Sequence, residues 1–199
     1  MSSAEVFIIE SLDFKDEKDQ IFEGKFLSQI LHFAGKRPLY YYIRTKHELK
    51  RILRLFKDSG YRYLHLSCHG NSASIYTTLD RIPFQELGKI MNPYLEDKRL
   101  FVSACSVVNE DLARAIIPSS GCYSIIGPIK DVFFGDAAIV WASFYHLMFG
   151  LDDRKMKRSQ ILPTLRKLVR TFEVSLDYYS TSEQSATGYK KTTIRPQAH

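Results

Sequence analysis

Apolar residues along the chain fall into two kinds of segment that alternate. Short runs rich in β-branched and aromatic residues, at 6–11, 38–44, 61–68, 99–104 and 123–127, read as strands, the first of them buried. Between them the apolar period lengthens. Phe26, Leu27, Ile30 and Leu31 recur at helical spacing, with Gly35 placed to end the helix. Thr45 and Glu48 form a capping box ahead of the stripe Leu49, Ile52, Leu53 and Phe56, and Gly60 closes that helix. A further helix is expected over 83–91, and Asn109 is placed to cap another that carries Leu112, Ala115 and Ile116. Asp136 is placed to cap a helix over 137–149 that is apolar almost all round, and Pro163 reads as the first residue of a last helix bearing Leu165, Leu168, Val169 and Phe172. Residues 13–19 read as a charged loop. From 175 to 199 the pattern is polar and rich in Tyr, Ser and Thr, and reads as a poorly specified tail, least structured over 180–186.

Strands alternating with helices predict an α/β fold, an αβα sandwich with a mostly parallel sheet and helices on both faces. The chain of 199 residues, 45% of them hydrophobic, suffices for one core without disulfide or metal staples. A single domain over 1–199 is expected, with 151–199 as a basic C-terminal helix and polar tail. The apolar stretch 132–150 is interrupted by Asp136 and flanked by charge, so no membrane span is expected. The three cysteines cannot all pair, and the N-terminus lacks a signal-peptide pattern, which together predict a reducing, cytoplasmic setting.

The net charge of +6 invites a nucleic-acid reading, yet its distribution matters more. Residues 150–199 hold 10 Lys and Arg against 5 Asp and Glu, so nearly all of the excess is C-terminal. The run Arg154, Lys155, Lys157, Arg158 reads either as a solvated face or as a contact for an acidic partner or phosphates. Direct nucleic-acid binding is not expected. No Gly-rich phosphate loop follows any strand, which disfavours nucleotide hydrolysis and a flavodoxin-like anion binder.

In parallel sheets, sites form outside the carboxyl ends of the strands. The third and fourth strands end in His69-Gly70 and in Cys105. If those strands are neighbours, an imidazole and a thiol face one another, sufficient for nucleophilic acyl transfer. The backbone N–H groups of Gly70 and Cys105 could then stabilise an oxyanion, and a glycine at 70 admits close approach of a carbonyl. Cys68 and Cys122, in apolar strands, read as core. His65 near Cys68 has no zinc-type spacing around it, so no metal is expected.

The blocks LHLSCHGN (64–71), LFVSAC (100–105) and GDAAIVWASFYHLM (135–148), in this order and preceded by the strand SIIG (124–127), resemble the caspase-like cysteine peptidases of clan CD, and within them the CHAT branch. The resemblance covers about residues 60–150. It implies Cys105 as nucleophile, His69 as general acid/base, Gly70 at the oxyanion, no cofactor and a protein substrate. Ser103, two before the nucleophile, would line the specificity pocket. Asp131 or Asp136 would supply a carboxylate for a basic P1 side chain. Where the family commonly places a glycine soon after the Cys, this chain has Ser106, Val107, Val108 and Asn109. That departure reads as a regulated enzyme whose loop must rearrange, or as an inactive, caspase-like interaction module. The resemblance further implies an activating or sensor protein, a homo-oligomer as an option, and a place in bacterial stress or defence signalling.

Overall fold

A computed structural model describes residues 3–130 and 132–196. Seven strands form the main sheet: β1 (Ser3–Glu10), β2 (Leu39–Tyr42), β3 (Tyr61–Ser67), β7 (Arg99–Ser103), β8 (Ser124–Pro128), β9 (Leu176–Thr181) and β10 (Tyr189–Ile194). Their order is β10-β9-β8-β7-β3-β1-β2, the last five of these mutually parallel and β9 and β10 antiparallel. The chain leaves β1 for β2 on one side and returns with β3 on the other, so the order reverses between β1 and β3.

The sheet's register shows why five short apolar runs specify it. Phe7, Leu64, Leu100, Ile125 and Tyr179 pair in one row across the sheet, and all face one core. The next row, Ile8, His65, Phe101, Ile126 and Tyr178, points the other way, and its apolar members join the second core. A one-residue slip of any strand would swap its rows between cores. The first face is covered by α3 (Lys46–Ser59), α4 (Phe84–Met91) and α5 (Glu110–Ser120), the second by α2 (Glu23–Phe33), α6 (Phe134–Leu151) and α7 (Arg158–Phe172). The Thr45–Glu48 capping box, the left-handed Gly60 that ends α3 and the Asn109 cap on α5 all form as the sequence predicts.

Five expectations are corrected. Residues 13–19 are not a plain loop: Asp13 caps the short helix α1 (Phe14–Lys18) by accepting from the Asp16 N–H at 2.8 Å. His69 and Gly70 do not simply end the third strand but form β4 (His69–Gly70), which starts a three-stranded antiparallel sheet with β5 (Ser74–Tyr76) and β6 (Arg81–Pro83). Asp136 does not cap α6, which starts earlier, on Phe134 with Phe133 at the cap position. Asp136 is then the third helical residue, where its charge meets the helix dipole favourably. Pro163 lies inside α7, which begins at Arg158. The polar tail is ordered into β9 and β10, and it buries Tyr178 and Tyr179 on opposite faces of the sheet. LDYYST sets Tyr178 beside Tyr179, so it lacks the strict alternation that marks a half-buried strand. What orders it is the open edge of β8, whose backbone groups need partners.

Candidate active site

β3 and β7 are adjacent and in register up to Ser67 and Ser103, which puts the residues after them at the same edge. Cys105 follows β7 and is partly exposed, whereas Cys68 and Cys122 are buried. His69 is turned out of the sheet by its pairing with Tyr76 in β5. Its ring is held from two sides. Its Nε2 lies 2.6 Å from Asp16 Oδ2, with Asp13 Oδ2 at 3.8 Å, and the Phe134 ring meets it edge-on at 5.2 Å. His69 and Cys105 line one narrow cleft of about 70 Å³, together with Cys68, Ser103, Val132 and Phe134.

A carboxylate on Nε2 favours the tautomer with hydrogen on that nitrogen, so Nδ1 is the nitrogen left to exchange a proton. Asp13, Asp16 and His69 also place one ligand atom each within 4.8 Å of one another, a spacing that could hold a cation. The short His69–Asp16 contact is by itself a complete charge-assisted hydrogen bond and accounts for the arrangement. Asp16 is absent from the sequence reading because 53 residues separate it from His69. The available signal was Asp13-x-x-Asp16, a helix-start pattern.

The Cys105 thiol donates to the Val132 carbonyl at 3.8 Å. Ser106, just after it, has φ of 55°, in the left-handed region where glycine is at ease. A serine thus stands at a position whose backbone a glycine would adopt without strain. Asn109 holds this loop by donating to the carbonyls of Ser72 and Ser106, at 2.9 and 3.2 Å. Gly70 fits its place for a reason the sequence does not show. A Cβ there would lie 2.2 Å from Val107 Cγ2, so Val107 presses on the backbone where a substrate carbonyl was expected. Ser103 is nearly buried in the cleft and neutral. Asp136 is exposed and lines a different pocket, with Lys130, Glu173 and Arg195. Asp131 lies outside the described residues.

Behind the cleft, on the face covered by α2 and α6, polar residues replace apolar ones at the ends of three neighbouring strands: Glu10, Ser67 and Ser103. Glu10 is fully buried and accepts from the Gly24 N–H at 2.7 Å, the Lys25 N–H at 3.3 Å and the Tyr40 hydroxyl at 2.7 Å. Burial, helped by the charge of Glu23, pushes its pKa up to about 7 despite these bonds. Glu23 accepts from Ser67 Oγ at 2.8 Å, and its other oxygen lies 3.7 Å from His65 Nε2. Among the described residues, neither of those last two atoms has a hydrogen-bond partner. Burial pushes the Cys68 thiol far up and the Cys122 thiol up to about 12, which leaves both unreactive.

No protein-family model and no curated protein sequence matches the chain. Solved structures do. The Arg-specific cysteine proteinase gingipain R superposes with a TM-score of 0.57 at 13% identity, over 86% of this chain and 43% of that one. The chain therefore spans less than half the length of that relative. Caspase-1 from Spodoptera frugiperda superposes with a TM-score of 0.53 at 14% identity, over 98% of this chain and 86% of that one. The fold is that of the caspase-like cysteine proteases. Among the described residues no helix is long and apolar enough to cross a membrane.

Proposed function

We propose that the protein is a cysteine endopeptidase in which Cys105 is the nucleophile, His69 the general acid/base and Asp16 a positioning residue. The observation that carries this reading is the shared cleft of Cys105 and His69, with the imidazole already oriented by a carboxylate at 2.6 Å. His69 takes the thiol proton, and the thiolate adds to the scissile carbonyl carbon. The C–N bond then breaks as His69 returns the proton to the leaving amine, leaving a thioester on Cys105. Water, deprotonated by His69, hydrolyses the thioester and restores the thiol. Ser103, small and neutral, admits the P1 side chain without fixing its charge.

The resting geometry supports a latent enzyme. The thiol is engaged by Val132, and Val107 sits against Gly70 where the oxyanion would form. The loop from Ser106 to Asn109 must therefore move before a substrate carbonyl can enter, which suits activation by a protein partner. The CHAT-like order of the motifs supports a cytoplasmic role in bacterial stress or defence signalling. The same closed loop favours the second reading, a catalytically inactive module that binds a protein through this fold.

An electrophilic peptide probe panel, applied with and without candidate partners, tests the choice. Adduct on Cys105 is expected in the wild type and absent in Cys105→Ala, with His69→Ala labelled very slowly. Asp16→Asn should lower kcat by about 10²- to 10⁴-fold with little change in KM, since it misorients the base without touching substrate. A wild type that gives neither adduct nor cleavage with its partner bound supports the interaction module instead.

A further inference from the structure

At the opposite end of the strands from Cys105 lies a pocket of about 440 Å³. It forms where β3, β7 and β8 begin and where the segment between α6 and α7 crosses below them. Its wall carries five cations, Arg62, Arg99, Lys155, Lys157 and Arg158, and one carboxylate, Asp97; Lys157 is paired with Asp152 outside the wall at 3.2 Å. They come from three separate stretches of the chain, so only folding makes them one site. The exposed C-terminal basic run thereby lies beside two arginines from the sheet.

Two features distinguish this pocket from a merely charged surface. The first is that two of its arginines, Arg99 and Arg158, are oriented by neutral hydroxyl and carbonyl groups. Arg99 donates to Ser124 Oγ at 2.9 Å and to the Met156 carbonyl at 3.4 Å, and Arg158 to Ser180 Oγ at 2.6 Å and the Thr181 carbonyl at 3.1 Å. The segment is itself pinned, since the Met156 N–H donates to the buried Tyr63 hydroxyl at 2.7 Å. The second is aromatic. The Arg99 guanidinium lies over one face of the Tyr123 ring at 5.6 Å, and the ring keeps 45% of its surface exposed, so its other side is open beside the cations. Fixed guanidinium forks suit phosphate oxygens, and a tyrosine face beside them suits a planar ring. A volume of this size accommodates a small ligand rather than a polymer.

We infer that this pocket binds a nucleotide-type ligand carrying two or more phosphates. The phosphates contact Arg99, Lys155 and Arg158, and the base lies on Tyr123. The site is independent of the peptidase reading: it needs neither Cys105 nor His69.

Calorimetry on the full chain with ATP, pyrophosphate and adenosine as probes tests it. ATP is expected to bind saturably with one site per chain, pyrophosphate more weakly, and adenosine without phosphates not at all. Lys155→Glu, at an exposed position, should weaken ATP at least about tenfold, as should Arg99→Gln, while Lys50→Glu on α3 leaves it unchanged. Raising salt from about 50 to 200 mM should weaken binding only modestly, as expected for a few phosphate contacts. Circular dichroism checks that each variant is folded. If Lys155→Glu is folded and binds ATP like the wild type, the assignment is wrong. It is equally overturned if ATP fails to saturate, or if single-stranded oligonucleotides bind through these same residues while ATP does not.

Discussion

Replacing Glu10 by Gln should remove most of the dependence of stability on pH between 5 and 8. In the folded protein Glu10 is buried against α2 and Tyr40, and its pKa rises from 4.5 to about 7. A carboxyl whose pKa is raised on folding binds its proton more tightly in the folded state. Its stabilising contribution is therefore complete below pH 4.5 and is lost as pH rises through 7. The shift of 2.5 units between those values corresponds to about 3 kcal/mol at 1.36 kcal/mol per unit. About 2.5 kcal/mol of that falls between pH 5 and 8. The glutamine keeps an acceptor for the Gly24 N–H but has no charge to acquire, so its stability should stay nearly flat over this range. Urea unfolding at pH 5, 6, 7 and 8 measures the difference between the two proteins at each pH. The variant should gain about 2 to 3 kcal/mol relative to wild type across the series. Removing the charge of Glu23 by Glu23→Gln should move the transition of the wild type to lower pH, because that charge helps raise Glu10. Parallel stability curves for wild type and Glu10→Gln would refute the reasoning. They would mean that the bonds from Gly24, Lys25 and Tyr40 outweigh burial and keep Glu10 ionised.

Three further outcomes are expected. Under native conditions iodoacetamide should modify Cys105 alone, with Cys68 and Cys122 reacting at least about 100-fold more slowly until urea unfolds the chain; peptide mass spectrometry reads the sites. Gly70→Ala should cost about 1–3 kcal/mol, because its Cβ would collide with Val107 and lie tight against the Ser74 carbonyl, and the additional change Val107→Ala should recover part of it. Equal melting of the single and double variants would show that Val107 is not what demands glycine. Ending the chain at residue 174 removes β9 and β10 with the buried Leu176, Tyr178, Tyr179 and Ile194. At about 1.5–3 kcal/mol each, these approach the whole stability of a domain. The truncated protein should be insoluble or unfolded. A soluble fragment with a cooperative melt would show that the tail is dispensable.

Helices and strands were legible wherever the pattern was long or the punctuation chemical. The α3 stripe, its Thr45–Glu48 box and Gly60 depend on residues within one helix and its flanks, so local sequence determines them. The same holds for the four inner parallel strands, whose apolar runs are buried on both faces, and in part for the half-buried edge strand β2. The two motif ends, His69 and Cys105, were legible as chemistry because a parallel sheet sends every strand's carboxyl end to one edge.

Tertiary structure decided what depends on partners distant in the chain. The tail becomes two strands because β8 offers an unpaired edge, a demand that lies outside the tail's own sequence. Gly70 is glycine because Val107 arrives against it from another loop. Asp16 meets His69 across 53 residues, and Arg62 and Arg99 join Lys155 and Arg158 in one pocket only once β3 and β7 lie side by side. Sequence alone thus determined the sheet's central strands, its two classes of helix-capping signal and a candidate nucleophile with its base. The orientation of that base, the closure of the cleft and the gathering of positive charge at the far edge are properties of distance in space. Local pattern carries no record of distance in space, because side chains 50 or more residues apart along the chain influence one another only after the backbone between them has folded.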